Sequence, residues 1–78
     1  MVKEKQSVKT LTIEEMHKAF NDSYKFLKAH QDELPNIDWE ELATEVIKIS
    51  KENGETALIN GLLVSCCDHL QKVWRDNR

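Results

Sequence analysis

The chain has 78 residues and a mass of 9.1 kDa, with eleven lysines and arginines against fourteen aspartates and glutamates for a net charge of −3. That length makes one small domain and leaves no room for a second. Hydrophobic residues are 40% of the chain and charged residues 32%, with two glycines and one proline, which excludes collagen-like, low-complexity and disordered classes. No apolar run approaches the roughly 20 residues of a membrane helix, and the polar start Met1-Val2-Lys3-Glu4-Lys5-Gln6 does not read as a secretory signal.

Residues 1–11 carry Lys3, Lys5 and Lys9 with little periodicity and are expected to form a short disordered tail ahead of a single domain over 12–78. The first helix opens at Thr12-Ile13-Glu14-Glu15, where a threonine followed three residues later by glutamate has the pattern of a capping box. From there Ile13, Met16, Phe20, Tyr24 and Leu27 recur at spacings of three and four, and with Ala19 and Phe26 they form the expected apolar face of a helix ending near Gln31. Glu14, Lys18, Asn21, Asp22, Lys25 and Lys28 fall on the opposite side.

Leu34-Pro35-Asn36 must turn the chain, because proline lacks a backbone donor and biases its predecessor away from helix. Asp38-Trp39-Glu40-Glu41 reads as a second capped start, its acids lying near the positive end of the helix dipole. Trp39, Leu42, Ala43, Val46, Ile47 and Ile49 give the second stripe, and Asn53-Gly54 the stop. A third helix is expected from about Thr56 to Trp74, with Leu58, Ile59, Leu62, Leu63, Cys66, Leu70, Val73 and Trp74 on its apolar arc. Gly61 within it either admits a close neighbour or is merely tolerated. The fold class these signals imply is all-α, a compact antiparallel three-helix bundle.

Little in this pattern is equipped for chemistry. Cys66 and Cys67 are adjacent, which suits a disulfide poorly, and they read as free thiols of a cytoplasmic protein. Cys66 and His69 stand three apart on one helix and form a candidate zinc pair, but a closed site needs two further ligands, and core packing is the preferred reading of Cys66. Both thiols lie mid-helix, away from the N-terminal dipole that would help ionise them. The groupings Glu14-Glu15 and Glu40-Glu41-Glu45 are explained by helix starts and by the charge that exposed faces need. No phosphate-cradling glycine loop, calcium loop or HExxH motif occurs. Neither enzymatic activity nor a cofactor is therefore expected.

Two surfaces remain as candidates. Lys18, Lys25 and Lys28 share the polar side of the first helix and would be the nucleic-acid contact of an accessory binding protein, although Glu14 and Asp22 interrupt the positive field and the chain is acidic overall. The apolar excess points instead to protein contact. Phe26, Leu63, Val64, Cys67 and Trp74 fall at the edges of their stripes, where apolar side chains beyond what a small core can hold would meet a partner or a second copy. Self-association would also relieve the marginal stability of a domain that buries only about 60% of its unfolded surface.

The stretches Asn21-Asp22-Ser23-Tyr24-Lys25-Phe26, Asp38-Trp39-Glu40-Glu41-Leu42, Leu62-Leu63-Val64 and Asp68-His69-Leu70 together resemble small helical proteins encoded in the genomes and prophages of low-GC Gram-positive bacteria. The similarity covers most of residues 12–74. It implies a bacterial cytoplasmic protein associated with a mobile element and brings no catalytic residues to carry over. The paired cysteines and the basic tail lie outside the shared pattern. The expected function is a small non-catalytic interaction module, self-associating and without a membrane role, with nucleic-acid binding as the alternative.

Overall fold

The computed structural model describes residues 10–76 and contains three helices, α1 (Ile13–Gln31), α2 (Trp39–Glu52) and α3 (Ala57–Asp76). The tail expected at the N-terminus falls, over residues 1–9, outside the described residues. Each helix starts where a side chain satisfies its free backbone donors. Thr12 Oγ1 accepts from the Glu15 N–H at 3.0 Å while Glu15 Oε1 accepts from the Thr12 N–H at 2.8 Å, a closed capping box. Asp38 Oδ1 accepts from the N–H groups of Glu40 and Glu41, both at 3.1 Å. Thr56 Oγ1 accepts from the Ile59 N–H at 3.2 Å and opens α3.

The stop after α2 uses two left-handed residues, Gly54 at φ 75° and Glu55 at φ 54°. That conformation turns the Glu55 N–H back onto the Ser50 carbonyl at 2.8 Å, which satisfies one of the last helical acceptors. Glycine takes the position at no steric cost, whereas Glu55 carries a side chain there.

Contacts between helices establish an up-down-up order. Asn53 near the end of α2 donates to Asp22 on α1 at 3.0 Å, and Glu45 meets His30, so α2 runs antiparallel to α1. Ser50 donates to Asn60 at 2.6 Å, and the Trp39 and Trp74 rings meet edge-on at 5.7 Å, so α3 returns antiparallel to α2. The first and third helices are consequently parallel, and they share the most extensive interface; α2 packs on α3 more lightly.

Ala19, Phe26, Ile37, Leu42, Ile59, Leu63 and Leu70 form the core, and Ser23 and His30 are the buried polar residues beside it. This corrects the expected orientation of α1. Its inward face is Ala19-Ser23-Phe26-His30, while Ile13, Met16, Phe20 and Tyr24 face solvent. At about 100° per residue, the two faces are centred roughly 90° apart. The physical reason is space. Small side chains at Ala19 and Ser23 let α1 lie close against α3, where the Cys66 thiol reaches the Ser23 carbonyl at 3.9 Å. The Ser23 hydroxyl is satisfied within its own helix by donating to the Ala19 carbonyl at 2.6 Å.

Two expected contact residues are thereby corrected as well. Phe26 and Leu63 are core side chains, 3% and 1% exposed, because each falls on the face its helix turns inward. Gly61 has nothing within 4 Å of the position a Cβ would take, so it accommodates no close neighbour and only weakens α3. Gly61→Ala should therefore raise the unfolding free energy by up to about 1 kcal/mol in denaturant titration, with no change in fold by circular dichroism.

Candidate functional site

The rotation of α1 leaves an apolar stripe uncovered. Ile13, Phe20 and Tyr24 are 78%, 54% and 61% exposed, Met16 is exposed beside them, and half-buried Leu27 joins the stripe to the core. Scattered exposed leucines are ordinary, but four large apolar side chains aligned on one helix are a continuous patch of the kind found at interfaces. The periodicity of this stripe is plain in the sequence; its position outside the core is not.

A second apolar feature lies along the α2–α3 seam, where the lighter packing leaves an open groove of about 420 Å³. Val46 and Leu63 line it, with exposed Val64 and half-buried Cys67 beside them and Asn60, Asp68 and Gln71 at its polar margin. The structure thus places Leu63, Val64 and Cys67 at one groove, Leu63 as its buried floor. Trp74 is apart from them, half-buried against Trp39 at the end of the bundle beside Leu34 and Pro35. Phe26 belongs to neither surface.

The lysines of α1 are partly engaged by acids. Lys18 Nζ pairs with Asp22 Oδ2 at 2.7 Å. That hydrogen bond, helped by the Asn53 amide and by the charges of Lys18 and Lys25, outweighs partial burial and holds the Asp22 carboxyl below its ordinary value. Lys25 borders a shallow surface shared with Asp22, Glu45 and Glu52, so its field is also offset. Lys28 stands in the last turn of α1, where a cation complements the helix dipole.

The thiols are not poised for reaction. Burial pushes the Cys66 pKa up, and burial together with the neighbouring Cys66 does the same to Cys67, so both favour the thiol over the nucleophilic thiolate. The candidate zinc pair is not assembled: Cys66 turns to the Ser23 carbonyl, and His69 Nε2 lies 3.2 Å from Gln31 Oε1. Among the described residues, no group of three or more histidines, cysteines, aspartates or glutamates is placed to hold a metal.

Among the described residues, the buried titratable cluster is centred on His30. Its Nδ1 meets Glu33 Oε1 at 2.9 Å, its Nε2 meets Glu45 Oε1, and its ring is tilted on Phe26 with centroids 4.8 Å apart. The cluster therefore ties the end of α1 to the turn that follows and to the middle of α2. The signal in the sequence that finds His30 is the 19-23-26-30 spacing, which places it on the same face as Phe26.

No family model, curated protein or solved structure matches the chain. The residues themselves therefore carry the assignment of a role. Among the described residues, no helix is long and apolar enough to cross a membrane.

Burial works against the charged His30 ring, but the hydrogen bonds and charges of Glu45 and Glu33 outweigh it and raise the pKa above the ordinary 6.5. A pKa raised on folding contributes stability that is fully present below the unfolded value and is lost as pH climbs through the folded value. Unfolding free energy should thus be larger at about pH 6 than at about pH 8.5. His30→Ala should flatten that slope and destabilise the fold by about 2 kcal/mol or more, read by denaturant titration at both pH values.

Proposed function

We propose that this protein is a small non-catalytic interaction module whose docking element is the apolar stripe of α1. The observation that carries the reading is the exposure of Ile13, Met16, Phe20 and Tyr24 on one helical face of a domain with an independently filled core. An amphipathic helix presenting anchors at i, i+3, i+7 and i+11 matches the way helices enter grooves or pair with other helices. Aromatic side chains suit the task because they contribute large contact area with few rotatable bonds, and they are enriched among residues that dominate binding energy.

Further support comes from the groups that would serve other functions. The thiols are held in their protonated form by burial, and Lys18 is neutralised by Asp22, which weakens a phosphate-binding strip on the same helix. A cytoplasmic setting and association with a bacterial mobile element, implied by the resemblance to prophage-encoded helical proteins, belong to the same proposal.

The stripe can be disrupted without touching the core. Phe20→Glu with Tyr24→Glu should preserve the helical circular dichroism, since both side chains face water in the single chain. Binding of any protein, a second copy included, to immobilised wild-type chain should fall at least tenfold with this variant, equivalent to about 1.4 kcal/mol or more. Equal binding by the folded variant and the wild type would overturn the reading.

A further inference from the structure

The spacing of the stripe is symmetric. Ile13, Met16, Phe20, Tyr24 and Leu27 are separated by intervals of three, four, four and three, a pattern that reads the same from either end with Phe20 at its centre. Seen down the helix at about 100° per residue, the five positions stay within an arc of roughly 80° and do not drift around the axis. Laid antiparallel on a copy of itself, such a stripe opposes Phe20 to Phe20, Met16 to Tyr24 and Ile13 to Leu27. Every exposed apolar anchor then meets another.

Charge selects the same arrangement. The first turn of α1 carries Glu14 and Glu15, and its last turn carries Lys28. Glu14 and Lys28 both lie to the same side of the stripe, within roughly 40° of each other down the axis. A two-fold axis perpendicular to two antiparallel helices keeps that side on one side of the pair, so Glu14 of each copy approaches Lys28 of the other. Parallel pairing about a two-fold along the helices would instead put these side chains of the two copies on opposite sides of the pair, where neither glutamate meets a partner lysine. Antiparallel helix dipoles add to the preference.

We infer that the protein forms a homodimer in which the α1 helices of two copies pack antiparallel about a two-fold axis at Phe20. This deepens the proposed function by naming a second copy as the occupant of the stripe, and it rests on that reading. The contact is isologous, so it closes on itself and leaves no further stripe exposed to extend a chain of subunits. Small-domain stability gains from the same contact, because apolar surface that one copy leaves wet is buried by the other.

Sedimentation equilibrium and cysteine cross-linking test this directly. Wild-type chain should show a mass that rises from monomer to dimer with concentration. Glu14→Lys or Lys28→Glu alone should weaken dimerisation roughly fivefold, since each dimer holds two such pairs, and the double exchange should restore it. In a background with Cys66→Ala and Cys67→Ala, Met16→Cys and Tyr24→Cys chains should form a mixed disulfide dimer when combined under oxidation. Neither should form one alone, because equivalent positions would be about 12 Å apart along the axis. Cross-linking by each chain alone but not by the mixture would overturn the antiparallel arrangement. A monomer at every concentration up to about 1 mM would overturn the dimer altogether. If stripe-dependent binding of another protein persisted in that case, the interaction reading would stand without its dimer; if it were absent too, both would fail.

Discussion

His30 sits where α1, the following turn and α2 meet, and both of its ring nitrogens must find partners there because the side chain is nearly inaccessible to water. Glu33 and Glu45 provide them. An unpaired imidazole in that position would cost the desolvation of a polar group, so the pairing is satisfied only if α1 is rotated to aim this face inward. Ala19, Ser23 and Phe26 are carried inward by the same rotation, and their sizes fit it: two small residues where α1 lies against α3, then one large ring against which the imidazole tilts. The orientation of one helix therefore determines both what the core contains and what the surface displays.

The displayed part is the apolar stripe. Burying Phe20 and Tyr24 instead would gain transfer free energy of about 1.5–3 kcal/mol for a large apolar side chain. It would also hold α1 away from α3 and put His30 and Ser23 into water, and a core of this size is already filled by Phe26, Ile59, Leu63 and Leu70. A sequence with more apolar surface than interior must leave some outside, and here most of the excess is gathered on one face of α1, with Val64 beside the α2–α3 groove and Ile47 exposed on α2. Such gathering is what distinguishes a docking surface from incidental exposure.

The helix boundaries were legible because they rest on local chemistry. Thr12 with Glu15, Asp38, and Asn53-Gly54 each act within one turn of their own position, and the structure uses all of them as their spacing implied. The rotation of α1 was not legible, because two apolar-compatible faces lie side by side on that helix: the heavier one holds Ile13, Met16, Phe20 and Tyr24, and the lighter one holds Ala19, Ser23, Phe26 and His30. Hydrophobic periodicity favours the heavier face, whereas close packing and the pairing of His30 with acids distant in sequence favour the lighter one. Phe26, at the edge of the heavier face, is core for the same reason, and Leu63 is buried on α3 beneath the groove that Val64 and Cys67 also line.

Phe26, and not Phe20, belongs to the interior. Nuclear Overhauser contacts from the two phenylalanine rings to the methyl groups of Ile59, Leu63 and Leu70 test it most directly. Cross-peaks should run from the Phe26 ring to these core methyls and not from Phe20. Strong cross-peaks from the Phe20 ring to the same methyls, with Phe26 silent, would contradict it.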